Sequence, residues 1–293
     1  MLRFNTVTDE KECRGLWEAF SPKQILWDLW DFRYCFHTKN FSFNFIVGFD
    51  GKNKTGLLPL VFDNNEKYYT YFGEEFPEQN KFFLKVKKNL KAFLDNCPKD
   101  TEIYYISAEE AEYYDFKPGD KRYFLDLGKY GNTFEGYLKS FTRKHRKNLT
   151  YDLRKLKEKN YTVEKNKAED FDKLIDLNKK RFGPESSYVD SEFAGAIRNL
   201  METADKENIL DMLSIKFSGA TEAVGLGVFY NNVYYVIGMG RNIEIKNLGK
   251  LLIAEQIKSA IGLKCNEVDF LSTEANWKEL WNLDLEQMYK FEK

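Results

Sequence analysis

Lys278 lies in the short aromatic run NWKELW, just downstream of the apolar strand-like EVDFL that contains Asp269. Asp269 and Glu274 flank the same turn. A fixed cation at such a place can stabilise negative charge that develops only in a transition state, and a nearby carboxylate can take a proton directly or through water. The plain alternative is a solvated Lys beside a core Trp and a surface carboxylate at Glu274. Asp269 is more constrained: within an apolar strand an unpaired carboxylate costs several kcal/mol, so a partner such as Arg241 or Lys278 is expected.

Two further segments could hold anions. KNLGKLL (246–252) joins a strand to a helix, and unpaired N–H groups at a helix start, aided by the helix dipole, bind phosphate. The bland reading is a strand-to-helix turn with Gly249 near the cap. Between 139 and 159 the chain carries nine Lys/Arg against Asp152 and Glu158. This run is either a solvated helix face or an anion-binding one, with Arg143 and Arg146 suited to fork onto phosphate. His145 falls on the apolar stripe of that helix and reads as a packed histidine.

Composition narrows the classes. With 43% apolar and 16% aromatic residues the chain can build a sizeable core, and a net charge of −1 gives the whole molecule no pull toward polyanions. Cys13, Cys35, Cys97 and Cys265 form no CxxC pair and only two His occur, so reduced thiols and no metal site are expected. The N-terminus has no apolar run of signal-peptide type, and no stretch is long and apolar enough for a transmembrane helix; a cytoplasmic protein is expected.

The positioning elements follow from periodicity and turn residues. In the first half, Leu2–Val7 is extended, helices are expected at Asp9–Phe20 and Pro22–Phe36, and SFNFIVGF and TGLLPLVF are strands around the hairpin signal Asp50-Gly51. YYTYF, a helix over Lys81–Asn96, TEIYYIS and KRYFLDLG complete it. The second half repeats the order: YTVEK, helices at Glu169–Phe182 and Ser191–Ala204, the strands DMLSIKF, AVGLGVFY and VYYVIGMG, a helix over Gly249–Ile261 and EVDFL. Both halves read β-α-α-β-β-β-α-β. Between them, Phe134, Tyr137, Leu138, Phe141, His145, Leu149, Leu153 and Leu156 form one stripe, which predicts a single basic helix over 134–159, about 39 Å long. The expected domains are thus 1–130, a connecting helix 131–160, and 161–293.

This order resembles the GNAT acyltransferase core. Segment 137–160, with S-x-x-R-x-x-R-x-x-L at Ser140, Arg143, Arg146 and Leu149, is similar to the basic helix of the CelD/BioF2-like and FemAB-like branch. DFLSTEANWKELW resembles that branch's D-F-L-x-G-x-x-x-Y-K-x-x-W ending, with Thr273 in place of the Gly and Trp277 in place of the Tyr. GLLPLVF and YFGEEFPEQN look like its N-terminal half. The resemblance implies α/β architecture with mixed sheets: tandem GNAT-like units related by pseudo-symmetry, the first a degenerate partner with Gly73 and Glu74 at the position of its donor loop, the second catalytic.

The resemblance also implies roles. Lys246, Asn247, Gly249 and Lys250, with Arg143 and Arg146, would bind the phosphates of acetyl-CoA or another acyl-CoA, although Leu251 stands where Gly or Ala would let the backbone approach. Trp277-Lys278 keeps an aromatic–Lys pair whose Lys stabilises the oxyanion, and Asp269 or Glu274 would be the base. Arg181, Ser187 and Tyr188, in the connection over the acceptor groove, together with Arg241 and Trp277, would contact the acceptor. The implied function is N-acylation of an amine on a sugar, a peptide or a lipid- or nucleotide-linked cell-envelope precursor. Aminoacyl transfer from aminoacyl-tRNA is the alternative, and a catalytically inactive GNAT-like binding module is a second.

Overall fold

The computed structural model describes residues 2–73, 76–272 and 277–293. The chain forms two compact units, residues 1–122 with 286–293, and residues 123–285. The boundary expected near residue 130 therefore falls at Arg122/Tyr123, and the chain's last strand belongs mainly with the first unit.

The first unit runs β1 (Arg3–Val7), α1 (Glu10–Phe20), α2 (Trp30–Tyr34), β2 (Phe41–Asp50), β3 (Asn53–Asp63), β4 (Tyr69–Tyr71), β5 (Phe83–Leu84), α3 (Leu90–Asp95), β6 (Glu102–Ile106) and β7 (Lys117–Asp126), the last crossing into the second unit. Its sheet has the order β1-β2-β3-β4, with β5 on β3. The β2–β3 hairpin closes as expected, with Asp50 opposite Asn53 and Gly51 at φ +59°. Trp17, Trp30, Phe45 and Phe72 meet edge-on or tilted in the core.

Two expected helices are shorter than their periodicity suggested. Over 22–36 only a 3-10 turn (Leu26–Asp28) and α2 form. Asp28 accepts the Gln24 and Ile25 amides on its carboxylate and the Trp17 indole N–H on its carbonyl, so side-chain bonds replace the first helical turns. Over 81–96, Phe83 and Leu84 pair with Leu57 and Gly56 of β3, which leaves α3 as the helical part.

The second unit continues with α4 (Phe134–Ser140), α5 (Arg143–Lys157), β8 (Thr162–Lys165), α6 (Asp170–Phe182), α7 (Ser191–Lys206), β9 (Leu210–Phe217), β10 (Ala220–Tyr230), β11 (Val233–Arg241), α8 (Leu248–Gly262) and β12 (Glu267–Asp269). A 3-10 turn, Lys278–Trp281, leads into β13 (Asp284–Glu292), which returns to the first unit and pairs there with β6. Strands of the second unit follow the order β7-β12-β11-β10-β9-β8. The second unit thus carries the β-α-α-β-β-β-α-β order from β8 to β12, and the first carries it with the two-residue strand β5 inserted before α3.

The single basic helix expected over 134–159 is instead two helices. The backbone turns extended at Phe141 and Thr142, and the Thr142 hydroxyl accepts the His145 amide as the N-cap of α5. Both helices lie within the second unit, so they are part of its core rather than a connector. Tyr137, Phe141 and Leu149 all enter one apolar cluster with Tyr234, Ile253, Val268 and Trp281. The stripe continues across the break because both pieces bury the same face.

β11 is the element that shapes the site. Gly227 pairs with Val236 and Leu226 with Gly238, so Ile237 forms a bulge. β11 and β12 are parallel and pair only at Val233–Tyr235 against Glu267–Asp269, after which β11 runs on to Arg241 without β12. The sheet opens between these two strands. Gly225 of β10 lies opposite Met239, and a Cβ at Gly225 would meet Gln256 and Leu252, so α8 covers that face. Gly240, one residue on, points to the other face, where a Cβ would fall 2.3 Å from the Leu174 carbonyl oxygen of α6. Gly240 is what allows α6 to lie directly on the strand.

Candidate active site

A cavity of about 490 Å³ lies where β11 outruns β12. Its wall comes from Thr142, Lys144, His145, Asn148 and Leu149 of α5, Arg181 of α6, and Met239 and Arg241 of β11. Asn247, Gly249, Lys250, Leu252 and Ile253 at the start of α8, with Trp277, Leu280 and Trp281, complete it. One part is cationic and the other apolar, and no carboxylate is among the described lining residues. That combination suits a ligand with an anionic end and an apolar or weakly polar arm.

Local bonds fix each part. Asn178 of α6 donates to the Met239 carbonyl at 2.8 Å and accepts from the Ser186 hydroxyl at 2.7 Å, which anchors the last turn of α6, and with it Arg181, to β11. Asn247 caps α8 in the left-handed region at φ +65°. Gly249 follows because the Arg241 side chain rests on it, its Nε 3.0 Å from where a Cβ would stand. Lys250 reaches Asp152 of α5 at 2.6 Å and ties α5 to α8. Tyr137 donates its hydroxyl to the Trp281 carbonyl and Asn282 donates to Ser140 at 3.1 Å, holding the 3-10 turn against α4. His145 stacks on Phe141 at 4.9 Å.

The expected anion and acceptor residues divide into two sets. Asn247, Gly249, Lys250, Arg181, Arg241 and Trp277 come together on the cavity wall. Lys246 and Arg143 are exposed and lie outside it, and Arg146 donates to the Lys139 carbonyl at 3.3 Å, closing the α4–α5 break. Ser187 is exposed in the 3-10 turn Ser187–Val189. Tyr188 is buried, with its hydroxyl packed into the space left by Gly238, and burial raises its pKa far above the ordinary phenol range. Leu251, conspicuous in the sequence for its bulk, is buried with Leu156, Ile215 and Leu248, so it faces the core.

The expected catalytic residues lie beside the cavity. Lys278 is only 3% exposed; its ammonium donates to the Leu271 carbonyl at 3.0 Å and sits 4.6 Å from the centre of the Tyr123 ring. It is thus a buried residue, not one on a solvated surface helix, and its neighbours Trp277, Leu280 and Trp281 line the cavity instead. Asp269 is fully buried at the end of β12 and accepts the Leu271 amide at 2.8 Å, which braces a turn where Leu271 takes φ +61°. The expected Asp269–Arg241 pair does not form: Arg241 has no ion-pair or hydrogen-bond partner among the described residues. Glu274, Thr273 and Glu74 lie outside the described residues.

Sequence reasoning missed Thr142, Lys144, His145 and Asn148 as cavity residues. The signal was present at Thr142, a helix-capping residue type placed three residues before His145, but the unbroken apolar stripe concealed it. Among the described residues there is no group of three or more His, Cys, Asp or Glu that could hold a metal ion, and no helix is long and apolar enough to cross a membrane. All four cysteines are free.

Residues 143–279 match the model of the acetyltransferase (GNAT) domain. No curated protein matches the chain in sequence. The crystal structure of FemX is similar, with a TM-score of 0.65 and 12% identity over 99% of this chain and 96% of that one. A tandem GNAT protein from the clavulanic acid biosynthesis pathway gives 0.55 and 10% over 100% and 98%. L-PGS from Bacillus licheniformis gives 0.59 and 13% over 97% and 91%. The chain has the mixed α/β fold of tandem GNAT proteins, and the segment from α5 to the Trp277–Lys278 turn is the part that matches an acetyltransferase (GNAT) domain.

Proposed function

We propose that the protein is an N-acyltransferase that moves an acyl group, acetyl in the simplest case, from acyl-CoA to an amine of a sugar, a peptide or a cell-envelope precursor. The observation that carries this reading is the cavity at the opening between β11 and β12, lined by Lys144, Arg181, Arg241 and Lys250 on one part and by apolar side chains on the other. Phosphates of the donor would meet Asn247, Gly249, Lys250 and Lys144, and its acyl-bearing arm the wall of Leu252, Ile253, Leu149 and the two Trp.

In the reaction the amine nitrogen attacks the thioester carbonyl carbon, and a carbon–oxygen electron pair moves onto oxygen. Collapse of this intermediate breaks the C–S bond, and the proton lost by the amine ends on the departing sulfur. We assign oxyanion stabilisation to Lys278, whose charge is fixed in a dry setting, where a cation acts more strongly than in water. His145 is the described wall residue of a type suited to carry the proton near neutral pH, and Glu274 is the second candidate. The Asp269 carboxylate, engaged in its turn, is read as structural.

The runner-up is aminoacyl transfer from aminoacyl-tRNA. It is favoured by the exposed cations of α5, Arg143, Lys144, Lys147 and Lys157, which have no carboxylate partner among the described residues. Titration calorimetry with acetyl-CoA and with charged tRNA separates the two. Binding of acetyl-CoA without tRNA supports acyl-CoA transfer; tRNA binding that falls steeply with salt, with no acetyl-CoA binding, replaces it with the runner-up.

A further inference from the structure

The outer face of α5 is a cationic strip that the cavity leaves unused. At 3.6 residues per turn, Arg143, Lys147 and Arg154 fall on one line along the helix, and Lys144, Tyr151 and Lys155 on the line beside it. All six are exposed, while Leu149 and Leu156 bury the opposite side. Of the nearby carboxylates, Asp152 is turned to Lys250, and Glu158 serves Lys155 and Arg154 at the far end of the helix. Arg143, Lys144, Lys147 and Lys157 have no carboxylate partner among the described residues. Tyr151 stands 51% exposed among these cations, with the Arg154 and Lys155 charges 5.5 and 5.9 Å from its ring centre. An exposed tyrosine flanked by arginine is the composition of a protein-docking anchor.

Position and charge select the partner. Lys144 belongs both to this face and to the cavity wall, so a molecule lying on α5 also lies at the cavity. The wall joins cations to Leu149, Leu252, Ile253 and two Trp. A phosphopantetheine arm has matching parts: a phosphate at its root, then a long, weakly polar chain that ends in the thioester. On free coenzyme A the root carries a nucleotide; on an acyl carrier protein it carries a small acidic protein. The face suits the protein. With 15 residues α5 is about 22 Å long, on the scale of a small domain. The whole chain has a net charge of −1, so attraction for an acidic partner must come from a local strip such as this one. A nucleic acid held tightly makes on the order of six to ten phosphate contacts, whereas α5 has four unmatched cations.

We propose that the outer face of α5 docks an acidic carrier protein, which delivers the acyl group to the cavity on a phosphopantetheine arm. The phosphate of the arm would lie at Lys144, Asn247 and Lys250, within the donor site already assigned. The acceptor nitrogen attacks the thioester carbonyl carbon, the C–S bond breaks, and the carrier leaves with a thiol that holds the proton lost by the amine. This delivery rests on the acyl-transfer reading and changes only the body that carries the arm.

Titration calorimetry of the full chain with acetyl-loaded acyl carrier protein, the same carrier without its arm, acetyl-CoA and charged tRNA tests this. The loaded carrier should bind, more weakly as salt rises, and loss of the arm should weaken it by roughly tenfold or more. Lys147→Glu combined with Arg154→Glu reverses two exposed charges outside the cavity wall. It should lower affinity for the loaded carrier by roughly tenfold or more and leave acetyl-CoA affinity within about twofold. Lys206→Glu, on α7, should leave carrier affinity within about twofold. Acetyl-CoA binding without carrier binding would overturn the proposal and leave the acyl-CoA reading standing, and so would equal carrier affinity in the double variant and the parent. Equal losses of carrier and acetyl-CoA affinity in the variant would assign the face to coenzyme A, with the same consequence. Charged tRNA bound through the same two residues, without carrier or acetyl-CoA binding, would overturn both, so the two failures are distinct.

Discussion

The Nε of Arg241 stands 3.0 Å from the point where a Cβ on Gly249 would be, so the first turn of α8 and the last residue of β11 share one volume. The glycine leaves the arginine a seat on the helix, in the wall of the cavity. Gly249→Ala should therefore separate stability from binding. Alanine gains up to about 1 kcal/mol of helix propensity, so the melting temperature should hold or rise. Acetyl-CoA affinity should fall several-fold as Arg241 is pushed off its seat and into the cavity. Equal affinity for the two proteins would show that the contact does not position the guanidinium.

Lys278→Met tests the oxyanion assignment. Loss of one such donor typically lowers kcat by roughly 10²–10³ with donor binding nearly intact. Burial means the change also removes the bond to the Leu271 carbonyl, so a structural effect of about 1–3 kcal/mol is expected alongside. Turnover must accordingly be measured where urea titration shows the variant folded. Full turnover under those conditions would reduce Lys278 to a brace for the turn at Leu271.

Gly240→Ala should be among the more damaging single-methyl additions in the protein. The new Cβ would lie 2.3 Å from the backbone oxygen of Leu174, a group that cannot rotate away. Overpacking of this kind costs about 1–3 kcal/mol, and it should also displace Arg181 with α6. A denaturation midpoint equal to that of the parent would mean that α6 is not seated on β11 as described.

His37 gives the first unit a pH dependence. It stacks on Phe43 at 4.1 Å, and burial lowers its pKa from the ordinary 6.5 to about 4. The unfolded chain therefore binds the proton more tightly than the native one. The stability that depends on a neutral His37 is complete above pH 6.5 and is lost as pH falls through 4, by about 2–3 kcal/mol. His37→Phe should flatten the urea midpoint across that window. A slope unchanged in the variant would place the titration elsewhere.

The order of elements was legible in the sequence because local forces set it. Alternating apolar residues in SFNFIVGF, the continuous apolar run VYYVIGMG and the turn residues at Asp50-Gly51 and Asn231-Asn232 specify strands and hairpins with neighbours close in the chain. Gly249, Lys250, Arg181, Arg241 and Trp277 could be nominated by type and by place in the repeated unit. What stayed hidden depends on groups distant in sequence. The break at Phe141-Thr142 was masked because α4 and α5 bury one continuous stripe, so periodicity alone cannot report it. The choice between a fixed cation and a solvated Lys278 stayed open in the sequence because Tyr123 and Leu271, which meet it, arrive from other strands and turns. Whether a cation is satisfied is decided by what lies within about 4 Å of it in space, a distance that composition and spacing do not encode. The sequence by itself thus determined the tandem fold and a set of candidate residues; only the tertiary structure decided that Lys250 is matched by Asp152 while the Arg181 and Arg241 side chains, on the same cavity wall, have no ion-pair partner among the described residues.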